Sequence, residues 1–226
     1  MGDLIEIRDL QQARRRRLAA SRATAACRFH FDLASPFSYL AAERVEAVFD
    51  AVEWVPARSP GLAATTQLGP RALSEMETRA ERRAAALRLG LVWPEQWARP
   101  VPRAMRAAAY AVEAGRGAAF VLAAGRLAFC GGFCVENRDI LSEAAAAAGL
   151  DTDAVLAAAL NSGRDAEIER AGRRLISAGA DCLPVVEVGG RHFCGEDRLE
   201  AAAAVPRASI TMPAPVGSST RLGSTD

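Results

Sequence analysis

The sequence predicts an α/β fold in which a small β-sheet is divided by a long helical insertion. Apolar and polar residues alternate over residues 27–33, which is typical of a strand with one buried face. Residues 58–179 are dominated by Ala, Leu, Arg and Glu, which favour helix. Strand character returns over residues 185–194. We therefore expect a sheet built from the two parts of the chain that flank the helices.

The first predicted strand leads directly into a helix. Ser35 is a favoured N-cap residue, and Pro36 suits the first helical position because its missing N–H would have no intrahelical partner there. Apolar residues then recur at helical spacing as far as Phe49. A second, short strand is predicted at residues 53–56.

Six helices are predicted within the insertion. Glycines stand where these helices are expected to stop, because glycine readily adopts the left-handed conformation that ends a helix. These glycines are Gly90, Gly115, Gly149 and Gly179. The predicted helices cover residues 71–89, 102–114, 117–128, 138–148, 152–160 and 165–178.

A β-hairpin and a last helix follow the insertion. Two apolar runs, 185–188 and 191–194, are separated by Gly189 and Gly190, which is a strong hairpin signal. A final helix is predicted from Glu196 to about residue 205. The order strand–helix–strand, helical block, hairpin and helix is that of a thioredoxin-like domain with a large inserted helical domain.

The predicted organisation has an extension and a tail outside the folded part. The C-terminal stretch is rich in Pro, Ser, Thr and Gly and has no apolar period, so it is expected to be disordered. The predicted parts are the N-terminal extension at 1–26, the thioredoxin-like domain at 27–57 and 180–205, the inserted helical domain at 58–179, and the tail at 206–226.

Composition argues against several classes of function. The 28 basic and 27 acidic residues nearly cancel, so the chain lacks the basic field that nucleic-acid binding needs. No apolar run approaches the roughly 18 residues of a membrane-spanning helix. Five cysteines without a Cys-x-x-Cys pair, and only His30 and His192, argue against a disulfide framework and a metal centre. We expect a cytoplasmic chain with reduced thiols and no nucleic-acid, membrane or metal partner.

Two local features point to chemistry. A hydroxyl at a helix N-terminus, such as that of Ser35, lies beside unpaired N–H groups and the positive end of the helix dipole, where an anion is stabilised. The alternative is that Ser35 is only a helix cap. Pro184 likewise has two interpretations: it is an ordinary strand-initiating proline, or a cis-proline that exposes the backbone of Leu183 to an extended peptide.

Two segments together carry a family resemblance. Residues 29–41 read Phe-His-Phe-Asp-Leu-Ala-Ser-Pro-Phe-Ser-Tyr-Leu-Ala, and Leu183-Pro184 precedes the strand that leads to Phe-Cys-Gly-Glu-Asp-Arg-Leu at 193–199. This pair resembles the two signatures of the 2-hydroxychromene-2-carboxylate isomerases and kappa-class glutathione transferases, whose fold is DsbA-like. The resemblance covers about residues 27–204.

The resemblance implies a cofactor that is glutathione, mycothiol or another small thiol. Redox relatives have cysteines at the positions of Ser35 and Ser38, and two serines cannot form a disulfide. Ser35 is thereby implied to be catalytic, donating a hydrogen bond to the cofactor sulfur and stabilising its thiolate. Leu183 would pair through its backbone with the cysteinyl unit, and Asp197 would bind the γ-glutamyl ammonium. The implied cofactor-binding residues are Ser35, Pro36, Phe37, Leu183, Pro184, Glu196 and Asp197.

The resemblance also implies the reaction and its substrate class. In the isomerase the thiolate adds to the chromene's conjugated system, the ring opens, and elimination returns the thiol. An aromatic carboxylate substrate needs a cation, for which Arg58, Arg103 and Arg106 are candidates, each with the alternative of an ordinary surface arginine. Residues 99–102 lack the asparagine that the family often has before the following helix. The family further suggests a homodimer.

Three other functions remain open. A kappa-type glutathione transferase would use the same thiol site. A disulfide oxidoreductase of the same fold is disfavoured by the absence of Cys-x-x-Cys, although Cys182 could lie near the site. The spacing of Cys130 and Cys134 fits two small buried thiols better than a redox or metal pair. A non-catalytic binding or accessory protein is the third alternative.

Overall fold

Four strands form one mixed sheet in the computed structural model, which describes residues 23–62 and 68–205. The strands are β1 (Ala23–Phe31), β2 (Phe49–Pro56), β3 (Val185–Val188) and β4 (Arg191–Cys194). Their order is β2-β1-β3-β4, with β1 parallel to β2 and antiparallel to β3, and β3 antiparallel to β4. The predicted hairpin is confirmed at both strands.

The predicted bounds of the first two strands are wrong at three ends. β1 begins at Ala23, inside the predicted extension, because backbone pairing with β2 continues to Phe49 where the sequence shows no alternation. It stops before Asp32, which enters the turn that precedes the first helix. β2 likewise begins four residues earlier than the predicted Glu53. The rest of the predicted extension and the predicted tail lie outside the described residues.

Eight α-helices are present in the described part of the chain. They are α1 (Pro36–Val48), α2 (Pro70–Leu87), α3 (Pro102–Glu113), α4 (Gly117–Phe129), α5 (Arg138–Ala147), α6 (Thr152–Leu160), α7 (Asp165–Ser177) and α8 (Leu199–Ala203). The six predicted helices of the insertion are confirmed to within a residue or two. Helix α2 ends at a left-handed Arg88 and not at Gly90, and the predicted last helix is split, with a 3₁₀ turn at Glu196–Arg198 before α8.

Aromatic side chains form the centre of the core between the sheet and the helices. Phe29 and Phe31 project from one face of β1, as the alternation predicts, and are fully buried. Trp54 of β2 packs edge-on against both rings. Leu40 and Val45 of α1 are also fully buried in this cluster. Helix α1 is therefore held rigidly against the sheet at the position where its N-terminus meets the end of β1.

The pairing of β1 with β3 brings two distant turns together. His30 near the end of β1 lies opposite Val185 at the start of β3. Because the strands are antiparallel, the turn after β1 and the segment before β3 lie at the same edge of the sheet. That segment contains Pro184, whose peptide bond with Leu183 is cis, as one of the two interpretations of the sequence requires.

The fold is thus α/β and thioredoxin-like, with helices α2 to α7 inserted between β2 and β3. No helix among residues 23–62 and 68–205 is long and apolar enough to cross a membrane.

Candidate active site

Ser35 caps helix α1, as predicted. Its backbone is extended, with φ −96° and ψ 121°, and its Oγ accepts a hydrogen bond from the Ser38 N–H at 3.3 Å. Its own N–H donates to the Asp32 carbonyl at 3.0 Å, and Pro36 occupies the first helical position. Because Oγ accepts in the cap, the hydroxyl hydrogen remains available to donate to a ligand.

Ser38 has a different position from Ser35. It is 3% exposed, and its Oγ accepts the Asp32 N–H at 3.1 Å. This buried hydrogen bond connects the first turn of α1 to the residue that follows β1. Ser38 therefore stabilises the turn, and Ser35 is the hydroxyl that faces the cleft.

A cleft of about 1060 Å³ lies over the N-terminus of α1. Its walls come from the β1–α1 turn, from α2, from the segment before β3 and from the 3₁₀ turn after β4. Of the predicted site residues, those that line it are Ser35, Phe37, Arg58, Leu183, Glu196 and Asp197. Pro36 and Pro184 are buried beneath this surface. Residues from both signature segments thus share one cavity large enough for a peptide-sized ligand.

The three predicted arginines are not brought together. Arg58 lines the cleft and contacts Glu169 at 3.4 Å. Arg106 lies outside it, because its guanidinium makes two hydrogen bonds to Asp165, at 2.9 and 2.6 Å, within the helical region. Arg103 is an exposed residue that does not line the cleft. The two hydrogen bonds from Arg106 to Asp165 form a bidentate ion pair, which gives Arg106 a structural role within the helical region.

Helix α2 supplies cleft arginines that sequence reasoning missed. Arg79, Arg82 and Arg83 line the cavity from one face of this helix. The Arg79 guanidinium lies 4.6 Å from the centre of the Phe37 ring, in a cation–π arrangement. The i, i+3, i+4 spacing could have shown that the three share a face, but only the tertiary structure shows that this face covers the cleft.

Glu196 and Asp197 have unequal environments. Glu196 is 5% exposed, and its two carboxylate oxygens pair with Arg44 at 3.0 Å and Arg83 at 2.5 Å. Asp197 is exposed on the cleft wall. Gly195 has φ +97°, and a β-carbon there would lie 2.8 Å from the Asp197 carboxylate, so glycine is required for this turn. Asp197 is therefore the carboxylate of this pair that is free to meet a ligand cation.

Burial changes the pKa of three further groups that line the cleft. Burial raises the pKa of the Cys182 thiol to about 12, and burial also raises the pKa of the Cys194 thiol. Both remain protonated at neutral pH, which disfavours them as thiolate nucleophiles. Asp32, which sequence reasoning did not single out, also faces the cavity, and burial raises its pKa too. No group of His, Cys, Asp and Glu residues suited to a metal ion is found in the described ranges.

Comparison with solved structures supports the same fold. A 2-hydroxychromene-2-carboxylate isomerase is 20% identical, with a TM-score of 0.67 over 78% of this chain and 91% of that one. A probable DsbA oxidoreductase from Streptomyces coelicolor is 21% identical, with a TM-score of 0.63 over 86% and 94%. The cytosolic disulfide reductase DsbM from Pseudomonas aeruginosa, in its structure with GSH, is 18% identical, with a TM-score of 0.53 over 79% and 96%. At these identities the likeness establishes the fold.

No curated protein sequence matches the chain at a significant level. The sequence profile of the DSBA-like thioredoxin domain matches residues 27–205, which is most of the chain and includes both strand pairs, the insertion and the cleft. The chain therefore belongs to the DSBA-like thioredoxin domain family.

Proposed function

We propose that this protein is a small-thiol-dependent isomerase of the 2-hydroxychromene-2-carboxylate isomerase type, in which Ser35 stabilises the cofactor thiolate. The observation that carries the proposal is the position of Ser35. Its hydroxyl caps α1 at the floor of a cleft that also contains Leu183 and Asp197, while no cysteine stands at position 35 or 38. The cofactor is glutathione, mycothiol or another low-molecular-weight thiol.

The helix start suits a thiolate for two physical reasons. Helix α1 has 13 residues, and its dipole places partial positive charge at Ser35. The Ser35 hydroxyl adds a hydrogen bond that is stronger to a charged sulfur than to a neutral thiol. Both effects lower the pKa of the bound thiol and raise its thiolate fraction at neutral pH.

The cleft offers partners for the rest of a γ-glutamyl tripeptide. The backbone of Leu183 suits strand-like pairing with the cysteinyl unit. Asp197, an exposed residue that lines the cleft, is a partner for the γ-glutamyl ammonium. Glu196 is already neutralised by Arg44 and Arg83, so we assign it the role of holding the 195–197 turn and not of contacting the cofactor directly.

The cleft also suits a carboxylated aromatic substrate. Arg58, Arg79 and Arg82 line it and can meet a carboxylate, whereas Arg103 and Arg106 lie away from it. Phe37 and Met76, both half-buried on the cleft, provide apolar surface for an aromatic ring. In the proposed reaction the chromene ring opens by cleavage of its C–O bond, as the carbon that carries the hydroxyl becomes a carbonyl and the hydroxyl proton passes to the departing ring oxygen. The thiolate forms a C–S bond with the conjugated double bond, which becomes a single bond free to rotate, and elimination then breaks the C–S bond and returns the thiol unchanged.

A kappa-type transferase is the alternative that the same site favours most. It would need the same thiolate but would leave the sulfur bonded to the product. A disulfide oxidoreductase is less compatible, because Ser35 and Ser38 cannot cycle between dithiol and disulfide, and both cleft cysteines have raised thiol pKa values. Thiol consumption separates the first alternative from isomerisation.

The decisive experiment follows the absorbance of a chromene carboxylate with and without added thiol. We expect isomerisation that needs glutathione or mycothiol in catalytic amount and leaves its concentration unchanged. Stoichiometric loss of the thiol would favour a transferase. Absence of any thiol-dependent turnover, together with no calorimetric binding of either thiol, would refute the proposal.

The cofactor site is tested separately by Asp197→Ala. Loss of a charge-assisted hydrogen bond of about 1.5–3 kcal/mol should weaken thiol binding by roughly 10- to 150-fold in calorimetry. Asp139→Ala, which removes an exposed carboxylate from the first turn of α5, is the matched control and should bind normally. Equal affinities for the wild type and Asp197→Ala would remove Asp197 from the site.

A further inference from the structure

The proposed thiolate chemistry leaves one proton without an assigned acceptor. When a thiol binds and ionises, its proton must leave the sulfur, and Ser35 cannot take it because a hydroxyl that donates to the sulfur keeps its own proton. We propose that Asp32 is the proton-transfer residue of this site, accepting the proton of the bound thiol and delivering it to the substrate after the thiolate has added. This inference rests on the proposed thiol-dependent function.

The turn that positions Ser35 also positions Asp32. The Asp32 N–H donates to Ser38 Oγ at 3.1 Å, and its carbonyl accepts the Ser35 N–H at 3.0 Å. Its carboxylate Oδ1 accepts the Ala34 N–H at 2.8 Å, which leaves Oδ2 for a ligand. The residue is half-buried and lines the cleft next to Ser35. The turn thus fixes Asp32 and Ser35 close together in the chain, and both line the cleft proposed to hold the thiol.

The other carboxylates of the cleft are engaged elsewhere. Glu196 is neutralised by two arginines, and Asp197 lies in the proposed ammonium site. The remaining two pair with arginines, Glu75 with Arg71 at 2.9 Å and Glu169 with Arg58 at 3.4 Å. Asp32 forms no ion pair within 4 Å among the described residues. It is the carboxyl at the α1 end of the cleft that can gain and lose a proton without breaking an ion pair.

The surroundings of Asp32 adjust its proton affinity toward that of a thiol. Burial raises its pKa, while the Ala34 N–H and the charge of Arg58 act in the opposite direction. A carboxyl with a raised pKa is a better match for a thiol, whose ordinary pKa is about 8.5 and is lowered at a helix N-terminus. The charged and titratable groups that share the cleft with it are Arg58, Glu75, Arg79, Arg82, Arg83, Glu169, Cys182, Cys194, Glu196 and Asp197.

One proton then serves both the addition and the elimination, while the substrate's own hydroxyl proton passes to the ring oxygen when the ring C–O bond breaks. The Asp32 carboxylate takes the thiol proton as the thiolate forms. The thiolate electron pair makes the C–S bond, the carbon–carbon π bond opens, and the new carbanion or enolate receives the proton from Asp32. After rotation Asp32 removes that proton, the π bond forms again, and the sulfur leaves with the C–S electron pair. No oxidant, reductant or external proton is consumed.

Asp32→Asn tests this role with little structural change. Asparagine has the same shape and keeps an oxygen to accept the Ala34 N–H, but it cannot take a proton at neutral pH. We expect unchanged thiol affinity within about threefold, and a fall in kcat of about 100-fold or more, the usual contribution of general acid–base catalysis. The part of the acid limb of the wild-type pH profile of kcat/KM that is due to protonation of Asp32 should disappear, which leaves only the limb set by ionisation of the thiol.

Asp151→Asn is the matched control. Asp151 accepts the Ala154 N–H at 2.8 Å in the same way, at the start of α6 and away from the cleft, and its substitution should leave the rate and the pH profile unchanged. Asp32→Glu keeps a carboxyl displaced by one methylene and should retain an acid limb even if its rate is reduced. Wild-type rate and acid limb in Asp32→Asn would overturn the role of Asp32 alone. A wild type without thiol-dependent turnover would overturn the proposed function as well.

Discussion

Ser35→Ala separates a helix cap from a thiolate-stabilising group. The variant loses one capping hydrogen bond, from the Ser38 N–H, which at 3.3 Å is already long. The bonds that the Ser35 backbone makes to Asp32 and Tyr39 remain, and Pro36 still sets the helical φ. We therefore expect a loss of about 1 kcal/mol in the free energy of unfolding, or roughly 2–4 °C in Tm for a chain of this size.

The expected effect on activity is much larger. A donor to a charge that persists through the reaction contributes about 1.4–4 kcal/mol, by analogy with an oxyanion-hole donor, so kcat should fall roughly 10- to 1000-fold. The assay is thiol-dependent turnover, with the pH dependence of thiolate absorbance in the complex as a second measurement. The pKa of the bound thiol should rise in the variant because the sulfur loses a donor.

Ser142→Ala controls for the removal of a helix hydroxyl. Ser142 lies on the exposed face of α5, where its Oγ donates to the Arg138 carbonyl, so this variant should keep wild-type activity. A Ser35→Ala protein that is less stable but retains both its activity and the wild-type thiol pKa would show that Ser35 is only a cap.

Two further predictions concern the ion pairs around the site. Glu196→Ala leaves Arg44 and Arg83 without a buried partner and should lower the free energy of unfolding by about 3 kcal/mol, the low end of the range for buried pairs because the Arg83 side chain is 32% exposed. The control Glu200→Ala, at a 63% exposed position, should cost less than about 1 kcal/mol. Equal losses for the two variants in thermal unfolding would contradict the structural role of Glu196. Hydrogen bonding to Arg106 lowers the pKa of Asp165 from its ordinary value of 3.8, so the ionised pair stabilises the fold above that pH and the stabilisation is lost as pH falls through the lowered pKa. In urea unfolding at pH 7 the wild type should therefore have a larger free energy of unfolding than Asp165→Asn, and this difference should become smaller below about pH 3.8. A difference that does not change with pH would show that ionisation of Asp165 does not stabilise the fold.

Much of the fold was predictable because its signals are local. The helix bounds follow from Ala-rich periodic segments ended by glycines, and the hairpin follows from two short apolar runs around Gly189 and Gly190. Pro36 after Ser35 marks the start of α1 to the residue. Strand ends were less predictable, because β1 and β2 extend through backbone pairing with each other where neither sequence alternates.

The candidate site was predictable only in part. The two signature segments identified Ser35, Leu183 and Asp197, and in the structure all three line the same cleft. Arg106 could not be judged from sequence, because its partner Asp165 is 59 residues away and belongs to a helix whose packing the sequence does not specify. Arg79 lines the cleft but was not predicted to, because its position over Phe37 depends on how α2 packs near the N-terminus of α1.

The sequence alone determined the order and type of the elements, the absence of a cysteine pair at positions 35 and 38, and the capped helix start that favours an anion. These depend on hydrogen bonds and side-chain propensities within a few residues. The tertiary structure decided which carboxylates are free and which are neutralised: Glu196 is taken up by Arg44 and Arg83, and Asp32 has no arginine within ion-pair distance among the described residues. Protonation and charge pairing depend on burial and on groups distant in the chain, and only the folded arrangement defines both.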